Sequence, residues 1–203
     1  MKKIKVAVLV SGGGTNLGAL IAAEKKGIIT SGEISLVISN KVGAYALERA
    51  RMVGIEALTV TKAECGSQEA FEERLIEELT SRGIDLVVLA GFMAILSERF
   101  TSAYKDRIIN VHPSLIPSFC GKGYYGLRVH EAALEYGVKV TGATVHYVNE
   151  IPDGGRIILQ KSVEIQDGDT PEILQKRVME EAEWIILPMA CELVSKKLLA
   201  ERE

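Results

Sequence analysis

The chain has 203 residues, 47% of them hydrophobic and 25% charged, with a formal net charge of −3. That balance suits one globular domain with a substantial core, and it supplies no overall basic field for nucleic acid. No apolar run approaches the about 20 residues that cross a bilayer. The cysteines, Cys65, Cys120 and Cys191, show no paired spacing, which fits a reducing compartment. Met1-Lys2-Lys3 runs straight into a strand pattern instead of a cleavable leader. A cytoplasmic protein without membrane or nucleic-acid partners is expected.

Ile4 to Val10 is an apolar run that stops at Ser11-Gly12-Gly13-Gly14, a buried strand entering a glycine loop. Leu17, Leu20, Ile21 and Ile28 then recur at helical spacing. Glu33 to Asn40 reads as a second strand, Ala44 to Val53 as a helix closed by Gly54, and Ile55 to Val60 as a third strand. A longer helix spans Ser67 to Arg82. Glu69 lies in its first turn, Phe71, Leu75, Ile76 and Leu79 form its apolar stripe, and Gly83 stops it. Ile84 to Ala90 is a fourth strand. This alternation predicts an α/β fold, a Rossmann-like, mostly parallel twisted sheet with helices on both faces.

The rhythm then changes. Gly91 to Leu96 is an apolar loop, Ser97 to Tyr104 a short helix, and Arg107 to His112 a fifth strand. Ser118 to Tyr125 is a glycine-bearing loop suited to a ligand or to motion. Leu127 to Tyr136 is helical. Lys139 to Val148 and Arg156 to Ile165 read as strands, and Asn149 to Gly155 between them carries Asp-Gly hairpin chemistry. An antiparallel pair is therefore expected near the C-terminal end, at the sheet edge. Pro171 opens a last helix reaching about Leu199, kinked at Pro188. With no repeat and no low-complexity linker, residues 1–203 form a single expected domain.

Asn110 and His112 stand two apart at the end of the fifth strand, so their side chains share a face. Pro113 ends that strand and biases His112 toward extended backbone. An amide beside an imidazole makes a donor pair for a developing oxyanion, so a reacting carbonyl is expected between them. Asp153, if its turn folds over His112, would hold the imidazole and favour its protonated form. The loop Ser11-Gly12-Gly13-Gly14-Thr15-Asn16 opens a helix and offers backbone N–H groups to an anion. It is not a dinucleotide fingerprint, because Leu17 takes the third glycine position and the second strand ends in Ser39-Asn40 instead of an acid. A lone phosphate on a small substrate fits better. Gly91 to Leu96, at the switch between strands one and four, suggests an apolar slot for a flat ring. His130 is placed on its helix surface and His146 as a buried, satisfied residue; three scattered histidines do not read as a metal site.

Five stretches carry a resemblance: Ser11-Gly12-Gly13-Gly14-Thr15-Asn16-Leu17, Leu89-Ala90-Gly91-Phe92-Met93, Asn110-Val111-His112-Pro113-Ser114-Leu115-Ile116-Pro117, Thr141-Gly142-Ala143-Thr144-Val145-His146 and Asp153-Gly154-Gly155. Together they resemble the folate-dependent phosphoribosylglycinamide formyltransferases of purine synthesis. The resemblance implies a formyl group passed from the co-substrate 10-formyltetrahydrofolate, without metal, to the amine of phosphoribosylglycinamide. It implies Asn110, His112 and Asp153 as catalytic residues. It implies Gly13, Gly14, Thr15, Asn16 and Glu183 as contacts to the phosphoribosyl substrate. It implies Met93, Ala94, Ile95, Leu96, Asn110, Asn149, Glu150, Ile151, Pro152 and Asp153 as the folate pocket. Residues 1–110 would form a nucleotide- or phosphate-binding half, and 111–203 a catalytic and folate-binding half sharing the same sheet. The chain departs from many relatives at Gln68 and Ala94, where arginine is common, and at Trp184, where histidine is. A monomer or homodimer is compatible with these readings.

Four rivals stay open. A formyltetrahydrofolate deformylase would carry an extra N-terminal domain, and this chain starts three residues before its first strand. A methionyl-tRNA formyltransferase would add a C-terminal domain and a basic surface. A non-catalytic nucleotide-binding module would use Asn110 and His112 only as polar strand ends. A dehydrogenase is opposed by Leu17 and Asn40.

Overall fold

The structure, a computed structural model, describes residues 3–202. Strand β1 (Ile4–Val10) leads to helix α1 (Thr15–Lys25), β2 (Gly32–Ser39), α2 (Tyr45–Met52) and β3 (Glu56–Thr59). A short α3 (Lys62–Cys65) precedes α4 (Gln68–Ser81), β4 (Leu86–Leu89), α5 (Glu98–Ala103) and β5 (Ile108–His112). Then come α6 (Leu127–Tyr136), β6 (Val140–Tyr147), β7 (Ile157–Glu164), α7 (Pro171–Val178), a π-helical turn (Met179–Glu183) and α8 (Trp184–Ala200). All strands join one sheet in the order β3-β2-β1-β4-β5-β6-β7. β1 to β5 run parallel; β6 pairs antiparallel with β5, and β7 antiparallel with β6. This is the expected mostly parallel α/β sheet with an antiparallel pair at its C-terminal edge.

β1 is an interior strand, between β2 and β4. Its Ile4, Val6, Val8 and Val10 pack into a core with α1, α2 and α8, while Ala7 and Leu9 join Phe71, Leu75 and Leu79 of α4 and Phe100 of α5 on the opposite face. A strand covered on both faces must be apolar on both, which is why Ile4–Val10 reads as an unbroken run. Each such fully buried aliphatic side chain contributes about 1.5–3 kcal/mol. Ser67 caps α4 by accepting the Ala70 N–H at 3.1 Å. A reciprocal Thr61–Glu64 capping box holds α3.

Helix α3 forms where no element is expected, and two further details differ from expectation. α1 ends at Lys25, so the helical period does not reach Ile28; Ile28 is exposed and Ile29 is the buried residue. The last helix leaves α geometry at Met179–Glu183, ahead of Pro188, which lies inside α8. A π turn accommodates one residue more than an α turn, and this one ends at the buried Glu183.

Glu192 of α8 pins the turn before β2. Its carboxylate accepts the N–H and O–H of Thr30 at 2.8 and 2.7 Å and those of Ser31 at 2.9 and 3.1 Å. Burial pushes the carboxyl up, but these four donors outweigh it and lower its pKa from 4.5 to about 2. A group lowered on folding stabilises above its unfolded value and loses that contribution as pH falls through the folded one. Glu192→Leu is therefore expected to lose about 1.5–3 kcal/mol at neutral pH. It should also flatten the decline of stability between pH 4.5 and 2, as read by denaturant titration. An unchanged acid decline would contradict this role.

Candidate active site

Across the antiparallel ladder Asn110 faces His146, and His112 faces Thr144. Opposed residues carry their side chains on one face, and the strand period keeps Asn110 beside His112. An amide and two imidazoles thus share one face of β5 and β6. Asp153 comes from the hairpin that follows β6. Its φ of 57° is left-handed, a conformation that aspartate tolerates better than most residues. At Gly155 an added Cβ would sit 1.7 Å from the Tyr147 carbonyl oxygen, so the turn lies directly against the end of β6. Asp153 Oδ2 stands 3.5 Å from His112 Nδ1, and Oδ1 stands 3.6 Å from His146 Nε2. Both are ion-pair distances, longer than a hydrogen bond.

The hydrogen bonds settle which ring nitrogens donate. His146 Nδ1–H donates to the Tyr147 carbonyl at 2.8 Å. In the neutral ring Nε2 is then an acceptor, and it takes one N–H of Asn110 Nδ2 at 3.2 Å. That contact orients the amide and leaves its second N–H for another acceptor. His112 Nε2–H donates to the Phe119 carbonyl at 2.9 Å, and Asp153 Oδ2 accepts the Gly121 N–H at 2.8 Å. The loop after β5 therefore rests its backbone on both groups.

Burial lowers the His112 pKa below 6.5, against the opposing effects of the Asp153 charge and the Phe119 carbonyl. Asp153 does favour the imidazolium, as expected, but burial outweighs it and the net shift is downward. For Asp153 burial acts upward, yet His146, the His112 charge and the Gly121 N–H outweigh it and hold the carboxyl below 3.8. Asp153 is the ionised member of the pair. His130 is not on the surface: it is fully buried, because α6 turns Val129, His130 and Ala133 inward. Burial, with the His112 charge adding to it, lowers its pKa to about 4, and neither ring nitrogen has a partner.

The glycine loop lies at the switch point of the sheet, where β1 is flanked by β2 and β4. Gly14 has φ 71°, and a Cβ there would meet Ala46 Cβ at 2.6 Å. No side chain caps α1, so its first-turn N–H groups are free of side-chain partners. Ser11 Oγ donates to Asn40 Oδ1 at 2.7 Å and accepts the Met93 N–H at 2.8 Å, joining the ends of β1, β2 and β4. Asn16 Nδ2 donates to Glu183 Oε2 at 2.6 Å, a contact spanning 167 positions. Asn16 Oδ1 is buried without a partner. Burial raises the Glu183 pKa, and the Asn16 bond offsets only part of that. Thr15 is exposed at the rim, with its hydroxyl 3.9 Å from Met179 Sδ.

Of the residues expected around a folate, Met93, Ile95, Glu150, Ile151 and Pro152 are exposed, and Ala94 and Asn149 are half-buried. Leu96 instead packs with Phe100 in the core behind the loop. Among the described residues no cluster of His, Cys, Asp or Glu is placed to hold a metal ion, and no helix is long and apolar enough to cross a membrane.

Residues 4–190 match the family model described as Formyl transferase. The chain belongs to the formyl transferase family. Within the family, Phosphoribosylglycinamide formyltransferase of Escherichia coli (strain K12) is 43% identical over 175 residues, 86% of this chain and 80% of that protein. The Trifunctional purine biosynthetic protein adenosine-3 of Gallus gallus is 45% identical over 193 residues, of which this chain spans only 18% of the length. The chain spans 62% of the chloroplastic Arabidopsis thaliana phosphoribosylglycinamide formyltransferase, at 39% identity. The crystal structure of glycinamide ribonucleotide transformylase 1 from Symbiobacterium toebii superposes with a TM-score of 0.90 at 43% identity, covering 96% of this chain and 89% of that one.

Because Asp153 is the charge that supports the imidazolium, Asp153→Asn is expected to lower the His112 pKa further. An NMR titration of the ring protons checks this: wild type should titrate below 6.5 and the variant lower still. A rise in the variant would contradict the balance described.

Proposed function

We propose that the chain transfers a formyl group from 10-formyltetrahydrofolate to the amine of phosphoribosylglycinamide, releasing the N-formyl product and tetrahydrofolate. The observation that carries this reading is the convergence of Asn110, His112 and Asp153 from one strand and a hairpin. Similarity over most of the chain to proteins named for that reaction supports it. The reaction belongs to de novo purine synthesis, in the cytoplasm, and its partners are small molecules.

The amine nitrogen attacks the formyl carbon, and the carbonyl electron pair moves onto oxygen. The free N–H of Asn110 and the Nε2–H of His112 donate to that oxygen, His112 doing so in either protonation state. The Phe119 carbonyl must give up its place on Nε2 for this to happen. One such donor is worth about 3 kcal/mol of barrier. Asp153, directly or through water, takes the proton from the attacking amine and delivers it to the departing folate nitrogen. The carbon–nitrogen bond to folate then breaks and the carbonyl re-forms. Holding two substrates in register supplies much of the remaining acceleration.

In this reading the first-turn N–H groups at Gly13, Gly14, Thr15 and Asn16 bind the phosphate. The unpartnered Asn16 Oδ1 and the Glu183 carboxyl take hydroxyl or amine donors of the same substrate. The loops at Met93–Leu96 and Asn149–Asp153 enclose the pterin.

Formyl transfer should depend on phosphoribosylglycinamide, followed as tetrahydrofolate appears. His112→Ala and Asp153→Asn should each lose about 100-fold or more in kcat with little change in either KM. Folate release independent of the amine would replace this reading with a hydrolase, and near-wild-type turnover in either variant would remove that residue from the mechanism.

A further inference from the structure

The loop Gly91–Leu96 shows Met93 and Ile95 to solvent, 50% and 71% exposed. Phe92, Ala94 and Leu96 of the same loop pack against the core of α4 and α5, and polar contacts fix the backbone that carries the two exposed side chains. At its start the Met93 N–H is bonded to Ser11 Oγ at 2.8 Å. Past its end Glu72 of α4, only 2% exposed, takes the Ser97 N–H on Oε1 at 2.8 Å and the Ser97 hydroxyl on Oε2. Gln68, one turn before Glu72, donates to the same Oε1 at 2.7 Å and to the Ile95 carbonyl at 3.1 Å.

Two features of this clamp run against stability. Ser97 occupies the N-cap position of α5, where a serine hydroxyl ordinarily accepts an N–H of the first turn. Here it makes no such cap and gives its proton to Glu72. Glu72 itself buries a carboxyl group on a helix whose other buried residues include Phe71, Leu75 and Leu79. Burial of a carboxyl costs free energy that an apolar residue would not. What the two features secure is a loop fixed at its backbone.

We propose that Glu72, with Gln68, is a positioning residue for the formyl-folate, holding Gly91–Leu96 in its binding shape before the ligand arrives; this rests on the folate reading of that loop. A loop already ordered loses less freedom on binding. Affinity for the folate should therefore depend on the clamp. Affinity for the phosphoribosyl substrate, whose proposed contacts lie on α1 and the π turn, should not.

Glu72→Met keeps length and helix propensity but removes both acceptors. Glu72→Gln keeps one carbonyl oxygen for Gln68 and the Ser97 N–H. Its amide can donate to Ser97 Oγ, because a hydroxyl can also accept. Glu72→Met should raise the KM for 10-formyltetrahydrofolate, and the Kd of an unreactive folate analogue, by about tenfold. The KM for phosphoribosylglycinamide and kcat should stay within about twofold, Gln68→Ala should give a smaller shift the same way, and Glu72→Gln should resemble wild type. An unchanged folate KM in Glu72→Met, or equal rises in both KM values, would overturn the proposal. Should Glu72→Met fail to fold, Gln68→Ala and Ser97→Ala decide it, and unchanged folate KM in both overturns it. Calorimetry on wild type separates the two levels: no binding of the analogue defeats the folate reading, whereas equal binding by wild type and Glu72→Met defeats the clamp alone.

Discussion

The antiparallel pairing of β5 with β6 is the constraint on which the site depends. Four strands to one side of β5 run parallel to it and contribute loops at one common end. Only a reversed neighbour sets His146 directly opposite Asn110, and only the hairpin that follows it brings a carboxylate back over both imidazoles. The ladder slips by one residue between Val145 and His146 where β6 meets β7. Such bulges bend a strand and re-aim its side chains, and this one adjoins the residue that orients the Asn110 amide. A one-residue change in the β5–β6 register would put His146 on the face opposite Asn110 and His112.

The burial that assembles these groups also sets their charge. Taking His112 out of water disfavours the imidazolium more than Asp153 restores it. Asp153 keeps its charge because a backbone N–H and two imidazoles surround it. The donor of His112 and an acceptor of Asp153 are both satisfied by backbone of the Ser118–Gly126 loop. An unpartnered buried polar group is costly, and this loop removes that cost. The face that carries Asn110, His112 and Asp153 is thus a set of groups already desolvated and already directed.

Much of this was legible in the sequence wherever the signal is local. Ile4–Val10 could be read to its ends because a doubly covered strand is apolar throughout, and Leu127–Tyr136 because Gly126 and Gly137 bracket it. Asn110 and His112 were legible because a strand puts alternate residues on one face. What the sequence hid is long-range. From sequence His130 reads as exposed, because nothing nearby shows that α6 turns that face inward. His146 was read as structural, and its hold on the Asn110 amide exists only through a partner 36 positions away. The Asn16–Glu183 contact bridges the ends of the chain, and no spacing rule reaches that far. Ser97 even gives a misleading local signal, since a serine before a helix suggests a cap that Glu72 has displaced.

The most direct measurement is a structure of the protein with phosphoribosylglycinamide and an unreactive formyl-folate analogue bound together. The account predicts the formyl oxygen, or its mimic, within hydrogen-bonding distance of Asn110 Nδ2 and His112 Nε2, with the Phe119 carbonyl displaced and Asp153 facing the attacking nitrogen. A ternary complex in which Phe119 still occupies His112 and the formyl group lies away from Asn110 would contradict it.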